Sequence, residues 1–190
     1  MAENLQGLRV AILVTNGFEQ VELEKPQKVL TEAGATTAII SPEGRSVRGM
    51  NHTEKGDDFA VELEIADADS EDFDAVLLPG GVVNADNLRM NEEAQRFVQE
   101  IESSGKPIAV ICHGAWLLVS AGLVEGRHLT SYYTLQDDIL NAGGEWTDDE
   151  TVVDRNWVSS RQPDDIPAFN KAMLKLFAQN HRTARAVGNA

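Results

Sequence analysis

The sequence predicts an α/β sandwich with a mostly parallel central sheet, on two observations. Short apolar runs recur at residues 9–14 (RVAILV), 36–40 (TTAII), 75–78 (AVLL) and 108–111 (IAVI). Runs without polar alternation suit strands buried on both faces, as in parallel sheets. Segments with the apolar spacing of helices lie between them, and strands alternating with helices give this fold class.

The elements follow in order. The first run ends in Thr15-Asn16-Gly17, a turn signal. Residues 22–33 place Leu23, Val29 and Leu30 on one side of a helix, with Pro26 expected in the first turn and Gly34 as the stop. In residues 91–104, Asn91 is the cap and Glu92 and Glu93 sit at the positive helix end. Ala94, Phe97, Val98 and Ile101 then follow i, i+3, i+4, i+7. A helix is expected just after Cys112, through Trp116, Leu117 and Leu118 towards Gly122. Another is expected over 134–142, with Thr134 and Asp137 at capping-box spacing and Gly143-Gly144 at its end. Residues 151–153 and 157–160 flank Asp154-Arg155-Asn156 and read as a hairpin. A last helix starts near Asp164 and turns Ile166, Phe169, Met173, Leu176 and Phe177 inward. There is no internal repeat and no interdomain linker, so residues 1–190 read as one domain, with a core over about 9–177 and a flexible basic tail over about 180–190.

Composition removes several function classes. The formal net charge is −15, from 16 basic and 31 acidic residues. Such a balance repels phosphate backbones and anionic lipid, so neither nucleic acid nor a membrane surface is expected as a partner. The single cysteine, Cys112, rules out an intrachain disulfide and a multi-cysteine zinc site. Four scattered histidines, His52, His113, His128 and His181, form no HExxH or i, i+4 pair, so no metal and no cofactor are expected. With no signal-peptide pattern and no apolar run of membrane length, the expected location is the cytoplasm. Asp67, Asp69, Glu71, Asp72 and Asp74 crowd the approach to one strand and read as a solvated loop.

Three segments carry chemistry. In residues 106–123 (KPIAVICHGAWLLVSAGL) a buried strand ends at Ile111, Cys112 sits at the turn, and Gly114 opens a helix. That is the strand–turn–helix arrangement of a nucleophile elbow. A thiol there is expected to feel the positive helix end, which lowers its pKa, and His113 would supply a base or stabilise the anion. An isolated buried cysteine is otherwise an inert small hydrophobe. Leu78-Pro79-Gly80-Gly81 ends another strand; its free amides would serve half an oxyanion hole, and it reads equally as a tight turn. Residues 16–22 (NGFEQVE) bring carboxylates to the same sheet edge. One kept protonated beside the thiol would donate a hydrogen bond to it, although acids in a first helical turn are also ordinary. His52 reads as a surface-loop residue in preference to a lining of the pocket mouth, Trp116 as core or pocket wall, and Trp146 and Trp157 as packing or interface beside the hairpin.

Together these segments, with residues 129–144 (LTSYYTLQDDILNAGG) and 158–169 (VSSRQPDDIPAF), resemble the PfpI family of intracellular cysteine peptidases in the ThiJ/PfpI superfamily, which includes the Parkinsonism-associated deglycase. The resemblance spans about residues 9–177. It implies a flavodoxin-like three-layer sandwich, a reactive Cys112, Glu22 rather than Glu19 as the carboxyl beside the thiol, and His113 as the catalytic histidine. It also implies an acid from a neighbouring subunit, at Asp86 here, within a dimer or a hexamer of dimers. The oxyanion amides would be those of Gly81 and His113, with Gly80 beside them. Class I glutamine amidotransferases share the elbow but favour Gly two residues before the cysteine, where this chain has Val110, and their distal His–x–Glu is replaced by Ser159-Ser160-Arg161.

A thiol, an imidazole, a carboxyl and an oxyanion pocket suit addition to an electrophilic carbonyl. The expected function is a stress-related cysteine hydrolase acting on a peptide amide, or on methylglyoxal and its adducts on protein. The alternative is a redox-sensing or chaperone-like stress protein using Cys112 oxidation without turnover.

Overall fold

The computed structural model describes residues 3–188, and side chains through residue 182. The chain runs β1 (Arg9–Leu13), β2 (Phe18–Glu19), α1 (Gln20–Glu32), β3 (Thr36–Ser41), β4 (Ser46–Asn51), β5 (Glu54–Ala60), β6 (Leu63–Glu64), β7 (Ala75–Leu78), α2 (Val82–Arg89) and α3 (Glu92–Ser103). It continues through β8 (Ile108–Ile111), α4 (Ala115–Ser120), β9 (His128–Leu129), α5 (Gln136–Asn141), β10 (Glu145–Trp146), β11 (Thr151–Asp154), β12 (Trp157–Ser160) and α6 (Ile166–Gly188). The central sheet has seven strands in the order β11-β12-β8-β7-β1-β3-β6. All neighbours are parallel except β11 and β12, which form the expected hairpin around Arg155-Asn156.

The unbroken apolar runs are explained by two cores, one on each face of the sheet. Val10 and Ile12 of β1 pack with α1 and α6, while Ala11 and Leu13 face the opposite layer with α3 and α4. β7 and β8 divide in the same way: Leu77, Ala109 and Ile111 go to the first core, and Val76, Leu78, Ile108 and Val110 to the second. A strand buried on both sides has no polar position to alternate.

The topology selects the crevice. From β1 the chain builds outward through β3 and β6, then crosses back to lay β7 and β8 on the other side of β1. The strand order therefore reverses between β1 and β7, and ligands of open α/β sheets bind at the carboxyl ends of the strands at such a point.

Several local expectations change. α1 begins at Gln20, so Pro26 lies inside the helix rather than in its first turn. Its missing N–H leaves the Glu22 carbonyl without an intrahelical donor. Thr134 does not cap a helix: α5 starts at Gln136 after a 3-10 turn (Tyr133–Leu135), with no side-chain cap, and the Thr134 hydroxyl faces His113 instead. The β4–β5 hairpin had no counterpart in the apolar pattern, because its strands are largely exposed and carry Lys55, Asp57 and Asp58. It docks through Phe59, whose ring meets Phe18 edge-on at 5.3 Å. Helix α6 continues in its backbone to Gly188, through most of the stretch expected as a tail; side chains beyond 182 lie outside the described residues.

Arg127 ties the hairpin to α3. Its guanidinium is 5% exposed and pairs with Glu102 and, at 3.4 Å, Asp154, and it lies over the Trp157 ring at 4.3 Å. Removing one partner of a buried pair leaves the other charge uncompensated. Arg127→Ala is expected to lower unfolding free energy by about 3 kcal/mol in urea denaturation; a loss within experimental error would mean that the pair adds nothing net.

Candidate active site

Three adjacent strand ends, those of β8, β7 and β1, deliver the chemistry. At the end of β8 the backbone turns sharply: Cys112 has φ +60, a left-handed conformation that costs a non-glycine residue about 1–3 kcal/mol. The turn is held from outside, since the Tyr132 N–H donates to the Cys112 carbonyl at 3.2 Å. It also brings two consecutive side chains together, with Cys112 Sγ 3.2 Å from His113 Nδ1.

The β7 turn closes on it from above. A Cβ on Gly80 would lie 2.6 Å from Cys112 Cβ and 2.6 Å from Glu22 Oε2, so only glycine permits this approach. Gly81 has φ +88, and its amide and that of His113 face the Cys112 sulfur, where both favour the thiolate. The two amides expected to line an oxyanion hole thus surround the nucleophile itself.

Glu22 comes from the first turn of α1 and is fully buried. Its Oε2 accepts the Gly80 N–H at 2.8 Å, while Oε1 has no partner among the described residues. Burial pushes its carboxyl up to about 8, the Gly80 amide partly opposes this, and the Glu19 charge adds to it. Glu22 therefore holds its proton at neutral pH and faces the thiol as a donor.

The thiol departs from the sequence expectation. Cys112 is 7% exposed, and burial, with Glu22 beside it, pushes its pKa well above the usual thiol range against the pull of the two amides. The helix beyond is only six residues long and follows a 3-10 turn (Cys112–Gly114), so desolvation outweighs its dipole. Burial also lowers the His113 pKa, keeping the imidazole neutral at pH 7. That ring stacks on Tyr132 at 4.5 Å, meets Trp116 edge-on at 5.5 Å, and has Nε2 3.4 Å from the Thr134 hydroxyl.

A cleft of about 540 Å³ opens above Cys112. Glu19, Met50, His52, Val83, Tyr132 and Asp164 are among its walls. His52 is an exposed loop residue, as expected, and it also lines the mouth, with φ +56 and its N–H donated to Glu19 Oε2 at 3.1 Å. Asp86 stands apart: it is exposed on α2, outside the cleft lining, and makes no hydrogen bond to His113 within the chain. Tyr132 as a site residue escaped the sequence reading; the aromatic pair in Ser131-Tyr132-Tyr133 is its one local signal. Among the described residues, no group of three or more His, Cys, Asp or Glu is disposed to hold a metal ion, and no helix is long and apolar enough to cross a membrane.

The model of the DJ-1/PfpI family matches residues 8–176. The chain belongs to the DJ-1/PfpI family. Deglycase PH1704 of Pyrococcus horikoshii is 43% identical over 89% of this chain and 99% of its own length. A two-domain protein of Anabaena variabilis, with DJ-1/ThiJ/PfpI-like and ferritin-like domains, superposes with TM-score 0.82 at 31% identity, over 88% of this chain and 47% of that one. DJ-1beta of Drosophila melanogaster superposes with TM-score 0.81 at 24% identity, over 95% and 97% of the two chains, and shares the fold. The three-layer sandwich is thus the flavodoxin-like fold of the DJ-1/PfpI proteins.

The Glu22 carboxyl yields a pH dependence of stability. Its pKa is raised on folding, so between about pH 4.5 and 8 the native state holds a proton that the unfolded chain releases. Its contribution to stability is undiminished below that window and falls as pH rises through it. Relative to wild type, Glu22→Gln is expected to gain stability from pH 4.5 to 8, on the order of 4 kcal/mol in total, measured by denaturant unfolding at several pH values. Parallel stability curves would show that Glu22 titrates normally.

Proposed function

We propose that this chain is a cysteine hydrolase of the deglycase type, in which Cys112 adds to the carbonyl of methylglyoxal or of its adducts on protein. The observation that carries this reading is the contact between the Cys112 sulfur and a neutral imidazole at 3.2 Å, with a protonated carboxyl behind it. Attack requires Nδ1 to be the acceptor, hence the tautomer with its proton on Nε2, and the Thr134 hydroxyl faces that nitrogen. As Sγ bonds to the carbonyl carbon, the thiol proton passes to Nδ1 and the carbonyl π electrons move to oxygen. Amides gathered around the sulfur, and the Glu22 O–H, lie beside the place where that alkoxide forms.

The cleft favours a small carbonyl. Its volume of about 540 Å³ is that of a small-molecule site, and the sulfur lies at its base, 7% exposed. The 43% identical relative named a deglycase supports the same reading. Peptide cleavage would need an acid on His113 to orient the imidazole for the leaving amine. Asp86 would have to come from a second copy, seated on the outer face of α2 where Val82 and Val83 are 51% and 54% exposed. A redox sensor calls for an exposed, acidic thiol, and Cys112 is buried with its pKa pushed up; the imidazole 3.2 Å from the sulfur is what supports turnover.

The test compares methylglyoxal consumption, release of methylglyoxal from a glycated peptide, and casein hydrolysis. Cys112→Ser is expected to lose at least about 10³-fold against aldehyde and adduct, and His113→Ala about 10²–10⁴-fold, the usual worth of a general base. Asp86→Asn is expected to leave aldehyde turnover unchanged. Aldehyde turnover that survives Cys112→Ser would overturn the assignment, and casein hydrolysis abolished by Asp86→Asn would establish the peptidase reading in its place.

A further inference from the structure

We infer that Asn84 is the positioning residue of this site: its carboxamide orients the two peptide units whose N–H groups face Glu22 and Cys112. Asn84 is fully buried on α2, and both of its side-chain polar atoms are partnered. Oδ1 accepts the Thr15 N–H at 2.7 Å, and Nδ2 donates to the Pro79 carbonyl at 3.1 Å and the Gly80 carbonyl at 2.9 Å.

The choice of carbonyls carries the argument. A trans peptide unit is planar, with its C=O and N–H pointing in opposite directions. The Pro79 carbonyl belongs to the same unit as the Gly80 N–H, which donates to Glu22 Oε2 at 2.8 Å. The Gly80 carbonyl belongs to the same unit as the Gly81 N–H, which faces the Cys112 sulfur and pulls its pKa down. Fixing the two carbonyls on one side therefore aims the two N–H groups on the other. A second anchor, the Glu19 N–H at 3.3 Å, holds the Gly80 carbonyl only.

Such a hold is needed because successive glycines are the loosest backbone available, and the same glycines are required by the close approach to Cys112. The Thr15 contact ties this loop to the end of β1, so one side chain joins two of the three strand ends that build the site. Asn84 itself touches neither sulfur nor carboxyl. The titratable groups around Cys112 are Glu22 from α1, His113 from its own turn, and Tyr132 from the loop after β9, with Glu19 behind Glu22. With the peptide units free to rotate, the anionic forms of thiol and carboxyl lose their backbone donors and both titrations move up.

The inference concerns the site assigned above, but its test reads the thiol and not turnover, so failure of the deglycase reading would leave it standing. Cys112 is the single cysteine, so iodoacetamide reports on it alone. In Asn84→Ala, with folding checked by circular dichroism, the pH inflection of alkylation is expected about one unit higher and the rate at pH 7 about tenfold lower. Asn84→Ser, which keeps one donor, is expected to fall between. A merely structural role would lower Tm and leave the inflection in place, and an unmoved inflection in either folded variant overturns the inference. If neither variant folds, hydrogen exchange of 15N-labelled wild type decides. The Asn84 side-chain protons are expected to exchange at least tenfold more slowly than those of an exposed asparagine, and exchange at the exposed rate overturns the inference equally.

Discussion

Two turns pass each other with no room for a methyl group, and the site depends on that contact. β7 and β8 are neighbouring parallel strands with Leu78 opposite Val110, so the turns that follow leave the sheet side by side at about the interstrand spacing of 4.8 Å. A Cβ on Gly80 would strike Cys112, and one on Gly114 would lie 2.6 Å from the Leu78 carbonyl. The absence of these side chains lets the Gly80 amide reach Glu22 and the Gly81 amide reach the sulfur. The left-handed turn at Cys112 then swings His113 back onto the thiol. Parallel pairing, the glycines of the two turns and one strained residue thus bring thiol, imidazole and amides together, and α1 adds Glu22.

Burial governs its electrostatics. Glu22, Cys112 and His113 all lie where water is scarce, and each is pushed towards its neutral form: the acids up, the imidazole down. The resting site is consequently an uncharged relay, with a proton on the carboxyl, a proton on the thiol, and a neutral imidazole whose Nδ1 faces the sulfur and whose Nε2 faces the Thr134 hydroxyl. Such an arrangement favours a reaction that creates its charge only when the electrophile arrives. It differs from the preformed thiolate that the helix-end position suggests, because a six-residue helix supplies too little dipole to offset desolvation.

Legibility in the sequence followed burial pattern. β1, β3, β7 and β8 of the central sheet, α3 with its Asn91 cap, and the β11–β12 hairpin stand where apolar runs and turn residues place them, because each is specified by local spacing, whereas the two-residue edge strand β6 has no such run. The β4–β5 hairpin was silent: with most of its residues solvated, it carries no apolar stripe, and its anchors, Phe59 on Phe18 across 41 residues of chain and the pairing of β4 with β2, are long-range contacts that periodicity cannot register. Thr134 shows the converse, a capping signal overruled when the hydroxyl faces the His113 imidazole instead. In the site, Cys112, Gly80 and Gly81 announce themselves by following apolar runs. Glu22 and Glu19 are separable only through family resemblance, since both sit in one acidic turn and differ in which way the helix start points them.

The lone cysteine, the strand–turn–helix around it, the glycine turn and the parallel class are properties of the sequence by itself, because residue type and spacing decide them. The protonation states, the grouping of Gly81 and His113 amides on sulfur, the Tyr132 platform and the role of Asn84 belong to tertiary structure. They arise where segments dozens of residues apart are pressed into one dry crevice, and desolvation is a property of that crevice rather than of any residue in it.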